Sequence, residues 1–180
     1  MAEVTLGRTM ITVNKNGFGA LPVQRVSVEE AGRLLKKAFD HGITFFDTAR
    51  AYSDSEEKLG LAFEGIREKI FIAKKTAAKT AEEFRRDLEE SRRLLKTDYI
   101  DLYQFHNPAV CPKPGDGSGL YEAMPEAREN GKIRHIGITN HRLNVAAEAV
   151  ASGINETLQI PFAHTASGKE MARGEGGRMA

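Results

Sequence analysis

The sequence predicts an α/β protein: an incomplete (β/α)8 TIM barrel of about six βα units, preceded by a β-hairpin. Three observations lead to this prediction. Short apolar runs typical of buried strands alternate with longer segments whose apolar residues recur at helical spacing. The connections between these segments are short, as in parallel sheets with helices packed outside. A glycine-rich phosphate-binding turn after the first strand is absent from the sequence, which favours a barrel over a doubly wound dinucleotide-binding sheet.

The composition is that of one globular domain, and we expect residues 1–180 to form it. Hydrophobic residues make up 41% of the chain and charged residues 28%, while Lys+Arg 26 against Asp+Glu 25 leaves a net charge of +1. This balance gives no basis for binding nucleic acid or an acidic membrane surface. The one cysteine, Cys111, argues against an internal disulfide or a metal cluster. Without a signal-peptide pattern or a membrane-spanning apolar run, we expect a cytoplasmic protein with no metal.

The first third of the chain is predicted to contain the hairpin, a short strand, a helix and a buried strand. The hairpin covers residues 4–6 and 11–13, and the glycine-containing short strand covers 16–21. A capping box begins the helix at Ser27. The apolar stripe of this helix consists of Ala31, Leu34, Leu35, Ala38 and Phe39. The buried strand follows over residues 43–46.

Helices and strands continue to alternate through the rest of the chain. The predicted helices cover residues 55–64, 80–96, 120–127 and 143–150. The predicted strands cover residues 70–75, 99–105, 133–140 and 157–162. Pro125 lies inside a helix, where it should introduce a kink or cost roughly 3 kcal/mol. Residues 163–180 contain several glycines and are expected to form a weak helix or a frayed tail.

Titratable residues lie where three predicted strands end. The first strand leads to Asp47, with Tyr52 five residues later; the second ends in Lys74 and Lys75; the third leads to His106. Each residue alone has a structural explanation, as a helix cap, a partly exposed aromatic, a solvated charge or a satisfied histidine. In a barrel, however, the carboxyl ends of the strands meet on the face where active sites lie. Their joint occurrence therefore favours an active site.

These residue types together suit the delivery of a proton to a carbonyl oxygen. A tyrosine phenol has a pKa near 10 and is a poor acid at neutral pH. A lysine ammonium beside the phenol favours the phenolate and should lower that pKa. A carboxylate can hold the lysine in place, and a histidine can donate a hydrogen bond to the substrate oxygen. The electrons for a reduction must come from elsewhere.

Five segments resemble the aldo/keto reductase family in their order and spacing. They are residues 17–20 (Gly-Phe-Gly-Ala), 46–52 (Phe-Asp-Thr-Ala-Arg-Ala-Tyr), 70–76 (Ile-Phe-Ile-Ala-Lys-Lys-Thr), 98–108 (Asp-Tyr-Ile-Asp-Leu-Tyr-Gln-Phe-His-Asn-Pro) and 131–140 (Gly-Lys-Ile-Arg-His-Ile-Gly-Ile-Thr-Asn). The resemblance extends over residues 4–162. It implies an oxidoreductase that transfers hydride from NADPH or NADH to a small aldehyde or ketone.

The resemblance also implies roles for individual residues. Tyr52 matches the general acid, and its partners in the family's catalytic tetrad match Asp47, Lys75 and His106. Lys75 rather than Lys74 is expected to face the site, because it directly precedes threonine as in the family.

The implied cofactor contacts are Gly19, Asp47, Thr139, Asn140 and Gln159, and the last three match residues that hydrogen-bond the nicotinamide carboxamide. Alternatives remain open for several of these positions. The glycines of segment 17–20 could allow a ligand to approach the backbone or could serve a tight turn. Thr139, Asn140 and Gln159 could be ordinary polar residues at strand ends.

The family's pattern stops before a complete barrel, which has eight units and about 250 residues. The absent units would carry the loops that usually hold phosphate groups, and in the resembled family they grip the pyrophosphate and adenosine end of the cofactor. The first and last strands of the parallel sheet would also have unpaired edges. We therefore expect a truncated, marginally stable chain that self-associates or needs a partner.

Three functional hypotheses follow. The chain is an aldo/keto reductase, a catalytically inactive remnant or regulatory module, or a half-barrel completed by another chain. The retained tetrad favours the first hypothesis, and the missing last quarter of the barrel favours the other two.

Overall fold

The structure is a computed structural model that describes residues 2–161. Its strands are β1 (Glu3–Thr5), β2 (Thr12–Asn14), β3 (Phe18–Gly19), β4 (Phe45–Ala49), β5 (Phe71–Thr76), β6 (Ile100–His106), β7 (Ile133–Thr139) and β8 (Thr157–Gln159). Its α-helices are α1 (Val28–Asp40), α2 (Ser55–Ala62), α3 (Ala81–Leu94), α4 (Leu120–Glu129) and α5 (Leu143–Ala151), with short 3₁₀ segments at Leu21–Arg25 and Arg67–Lys69.

Six of the strands form one parallel sheet in sequence order, from β3 to β8. The sheet is curled into a half-barrel, which confirms the predicted fold class. Within residues 2–161, the strands at its two ends, β3 and β8, each pair with a strand on one side only. Because every strand runs in the same direction, their carboxyl ends lie on one face.

Side chains alternate between the two faces of the sheet, as the pleat requires. On β4, Phe46 points outward and is fully buried in the core between the sheet and the helices, whereas Phe45 lines the concave inner side. On β6, Tyr103 points outward and Gln104 inward. The inner side encloses a cavity of about 410 Å³, whose walls include Leu102. None of the helices described is long and apolar enough to cross a membrane.

The N-terminal hairpin, β1 paired antiparallel with β2, lies against the chain that leads into β8. The backbone N–H of Arg8 donates to the carbonyl of Glu156 at 2.9 Å, and the Arg8 guanidinium donates to the carbonyls of Gly153 and Asn155. Gly7 has φ of +52°, and a Cβ atom there would lie 2.1 Å from the Glu156 carbonyl oxygen. The hairpin therefore covers the end of the half-barrel opposite the strand carboxyl ends.

The element boundaries differ from the predictions by a few residues. The strand predicted over 43–46 runs instead over Phe45–Ala49, so Asp47 lies within it. Pro125 lies inside helix α4, and the helix continues to Glu129. The prediction for residues 163–180 lies outside the described residues.

Two helical glycines allow the packing to be tested. Helix α2 touches the end of α3 at Gly60, where a Cβ atom would lie 2.2 Å from the Leu94 carbonyl oxygen, whereas a Cβ at Gly32 in α1 meets nothing within 4 Å. Gly60→Ala should lower the free energy of unfolding by roughly 1–3 kcal/mol through overpacking. Gly32→Ala should raise it by roughly 0.4–1 kcal/mol, because alanine loses less entropy in a helix. Urea unfolding measures both; equal effects would contradict this packing.

Candidate active site

A buried ion pair joins β4 and β5 on the inner face of the sheet. Lys75 Nζ donates to Asp47 Oδ1 and, at 3.3 Å, to the carbonyl of Thr48. Only 4% of the Lys75 side chain and 14% of the Asp47 side chain are exposed. Burial raises the pKa of Asp47 and lowers the pKa of Lys75, and in each case the opposite charge of the partner works against the shift. The two charges are therefore held by each other rather than by water.

Tyr52 lies in the turn between β4 and α2, beside this ion pair. Lys75 Nζ is 5.2 Å from the centroid of the Tyr52 ring, and the His106 ring approaches edge-on with 6.0 Å between centroids. The turn is closed by hydrogen bonds from Tyr52 N to the Ala49 carbonyl at 3.0 Å and from Ser55 N to the Tyr52 carbonyl at 2.8 Å. The four residues predicted as a tetrad thus lie together.

The phenol of Tyr52 is a weaker acid than the sequence predicts. Burial, and secondly the negative charge of Asp47, raise the pKa of Tyr52 above its ordinary value. The predicted lowering by Lys75 is wrong for this arrangement, because burial of the phenol and the charge of Asp47 both act in the opposite direction. Within the described part of the chain, the Lys75 ammonium makes no hydrogen bond to the phenol. The raised pKa keeps the phenol protonated at neutral pH, so it retains the proton that it would deliver.

His106 ends β6 and faces the Tyr52 ring. Burial lowers the pKa of His106, and the positive charges of Lys75 and Lys74 and the nearby His141 add to the effect. The imidazole is therefore neutral at pH 7, with one ring nitrogen carrying a proton that can be donated to a substrate oxygen.

The polar residues predicted to contact the nicotinamide lie at the ends of β7 and β8. Asn140 is 1% exposed; its amide donates to the Pro108 carbonyl at 2.9 Å and accepts from Arg142 N at 2.8 Å. Thr139 is 7% exposed, and its hydroxyl accepts from Asn107 N at 3.2 Å. Both residues therefore have structural roles, whereas Gln159 is exposed at the end of β8.

Gly19 lies beside Asp47 in the parallel register between β3 and β4. Neither turn geometry nor packing requires glycine there, because Gly19 has no positive φ and a Cβ atom would meet nothing within 4 Å. The open space beside the ion pair is what a ligand would need. The tight-turn explanation is therefore not supported at this position.

Gln104 belongs to the same inner face, although sequence reasoning did not select it. It is 2% exposed, and its amide favours the charged form of Asp47. Its position could have been predicted from the sequence, because Gln104 precedes His106 by two residues and residues two apart on a strand share a face.

Comparisons with known proteins agree with this fold. A model of the aldo/keto reductase family matches residues 14–167. The aldo-keto reductase YhdN of Bacillus subtilis is 36% identical over 90% of this chain and 54% of that protein. Among solved structures, the aldo-keto reductase AKR11C1 from Bacillus halodurans in its holo form superimposes with a TM-score of 0.81 at 28% identity, covering 90% of this chain and 58% of the other.

A second solved structure carries a nicotinamide cofactor. The aldo-keto reductase from Klebsiella pneumoniae in complex with NADPH has a TM-score of 0.71 at 28% identity, covering 82% of this chain and 53% of the other. This chain spans about half the length of the curated relatives that it matches.

The residues present fit the nicotinamide end of such a cofactor. Asp47 Oδ2 is buried without a hydrogen-bond partner among residues 2–161, and a sugar hydroxyl would satisfy it. The free space at Gly19 and the exposed amide of Gln159 lie on the same face of the sheet.

The charge environment of His106 can be measured directly. In an NMR titration, its imidazole should have a pKa below 6.5, and Lys75→Met should raise that pKa because a nearby positive charge is removed. Since the folded pKa lies below the unfolded value, the free energy of unfolding should fall as pH decreases from 6.5 through the folded pKa. A pKa at or above 6.5 in the unmodified chain would contradict the geometry.

Proposed function

Because the chain belongs to the aldo/keto reductase family, we propose that it transfers hydride from a nicotinamide cofactor to an aldehyde or ketone, with Tyr52 as the general acid. The observation that carries the proposal is the meeting of Tyr52 with His106 and the Asp47–Lys75 ion pair at the carboxyl ends of three neighbouring strands. Active sites of barrel enzymes lie on this face.

Each residue has a defined part in this chemistry. The cofactor, when bound, supplies the hydride that reaches the carbonyl carbon. Tyr52 gives its phenolic proton to the carbonyl oxygen, which completes the alcohol. Neutral His106 donates a hydrogen bond that orients the same oxygen. Lys75, 5.2 Å from the Tyr52 ring, pairs with Asp47 and so offsets the negative charge of that carboxylate beside the phenolate left behind.

The cofactor assignment rests on relatives and on the local fit. Solved relatives hold NADPH or NADP, and a codeinone reductase of Papaver somniferum is described as NADPH-dependent. We propose NADPH, or NADH, for this chain, with Asp47, Gly19 and Gln159 at its nicotinamide end and with Thr139 and Asn140 shaping the strand ends beside it. The substrate is a small carbonyl compound, and the cytoplasmic location stays a prediction.

The open half-barrel favours a second candidate function, that of a module completed by another chain. Among residues 2–161, the outer edges of β3 and β8 have no pairing strand, and apolar side chains such as Phe45 line an open cavity of about 410 Å³ on the inner side. This candidate includes a catalytically inactive regulatory form. We propose that copies of the chain associate through these edges.

Tyr52→Phe tests the catalytic proposal. Loss of the phenolic proton should reduce carbonyl reduction, followed by the absorbance of NADPH, by at least about 100-fold, while NADPH binding persists. Tyr99→Phe is the matched control, because Tyr99 stacks between Arg67 and Arg134 at the opposite ends of the strands. Unchanged turnover in Tyr52→Phe would remove Tyr52 as the acid.

Size-exclusion chromatography with light scattering tests the association. The mean mass should rise with protein concentration, because uncovered edges pair with one another. A clean monomer at all concentrations, with a sharp cooperative melt, would count against edge pairing.

A further inference from the structure

Lys74 is a buried charge that the proposed chemistry does not use. It precedes Lys75 on β5, so its side chain points to the opposite face of the sheet, between the strands and the helices. There it is completely buried, 3.6 Å from Glu56 Oε1 and 3.4 Å from the Tyr103 hydroxyl. Glu56 is likewise buried, with 1% of its side chain exposed. A lone buried ammonium would be unfavourable, so this carboxylate is the counter-charge that Lys74 needs.

Glu56 connects Lys74 to the turn that carries Tyr52. Its second oxygen, Oε2, accepts a hydrogen bond from the Arg50 guanidinium. Arg50 precedes Tyr52 by two residues and Glu56 follows it by four, so their contact closes the turn around Tyr52. The backbone N–H of Arg50 also donates to the carbonyl of Lys75 at 3.0 Å, which ties the same turn to β5.

The other carboxylate oxygen of Glu56, Oε1, has the ammonium of Lys74 as its counter-charge. In the part of the chain that the structure describes, Glu56 Oε1 accepts no hydrogen bond, and the ammonium of Lys74 is the charge that faces it. Without that ammonium, one buried carboxylate oxygen would lose its compensation and the Glu56–Arg50 contact would be free to rearrange.

We propose that Lys74 is a positioning residue for Tyr52: it holds Glu56, Glu56 holds Arg50, and the closed turn sets the phenol against Lys75 and His106. The inference rests on the proposed function for its catalytic consequence, but the coupling of Lys74 to Tyr52 is a property of the fold alone. One strand, β5, thus acts on Tyr52 through two consecutive lysines on opposite faces.

The groups around Lys74 make the coupling observable. Glu56 on α2 and Asp87 on α3 face it with negative charge, and Arg50 faces it with positive charge, while Tyr103 on β6 contacts it directly. Burial, as the main cause, lowers the pKa of Lys74 to about 8. The ammonium is therefore lost in mildly alkaline solution, well below the raised pKa of Tyr52.

The first test uses the unmodified chain, labelled with carbon-13 at tyrosine Cζ and lysine Cε. The chain has 4 tyrosines, so their resonances can be assigned by single Tyr→Phe variants. The Tyr52 resonance should shift together with the deprotonation of Lys74. Tyr103, which touches Lys74, is the positive control, and Tyr99, at the far end of the strands, is the negative control. If the chemical shift of Tyr52 does not change as Lys74 loses its proton, the proposal is overturned.

The second test uses variants. Lys74→Met should abolish the coupled shift, and Glu56→Gln should displace the Tyr52 resonance at every pH. Asp101→Asn is the matched control, because it breaks a comparably buried pair, Arg67 Nη2 to Asp101 Oδ2 at 2.6 Å, away from Tyr52. It should lower stability without moving Tyr52; an equal displacement of Tyr52 would reduce Lys74 to a merely structural role and overturn the proposal.

Kinetics separate this inference from the proposed function. Lys74→Met and Glu56→Gln should lower kcat for carbonyl reduction by roughly 10- to 100-fold through misplacement of Tyr52, with the KM for NADPH unchanged. An unaltered kcat would overturn the inference. If the unmodified chain reduces no carbonyl compound, the proposed function fails, and the NMR coupling still decides whether Lys74 positions Tyr52. If Lys74→Met does not fold, the titration of the unmodified chain decides.

Discussion

The ion pair between Asp47 and Lys75 is the interaction on which the arrangement of the site depends. The two residues lie on neighbouring parallel strands, offset so that Asp47 aligns with Ala73 and Lys75 with Ala49, and all four share the inner face. Breaking such a pair typically costs about 3–5 kcal/mol, whereas replacing both charges by apolar groups is often neutral. Stability alone therefore does not explain two charges at this position, whereas the proposed function gives the pair a part beside Tyr52.

The strand β5 shows how one element serves two networks. Alternation places Lys75 beside Asp47 and Tyr52 on the inner face, and Lys74 in the layer between the sheet and the helices, where it contacts Glu56 and Tyr103. On the proposed function, the half-barrel carries the side chains that would deliver a proton and contact the nicotinamide end of a cofactor. Within residues 2–161, β3 and β8 each pair with a strand on one side only, so stability makes a demand on the sheet edges that the site at the strand ends does not.

Local sequence patterns predicted much of the fold. Ser27 accepts a hydrogen bond at the start of α1, as its capping box predicts, and Thr80 does the same at the start of α3. Because side chains alternate along each strand, Asp47, Lys75 and His106 lie on one face of the sheet. The partners of Lys74 were not predictable, because they depend on how α2 docks against the sheet. The pKa of Tyr52 was also mispredicted, since its direction depends first on the burial of the phenol, which is a matter of tertiary geometry.

On the proposed function, this half-barrel retains a site for the nicotinamide end of the cofactor. Titrating the chain with NADPH while following nicotinamide fluorescence tests it most directly. We expect saturable binding that is weakened in Asp47→Asn, because the buried oxygen Oδ2, which has no hydrogen-bond partner among residues 2–161, would be lost as a charged acceptor. The absence of saturable binding at millimolar NADPH would contradict the claim.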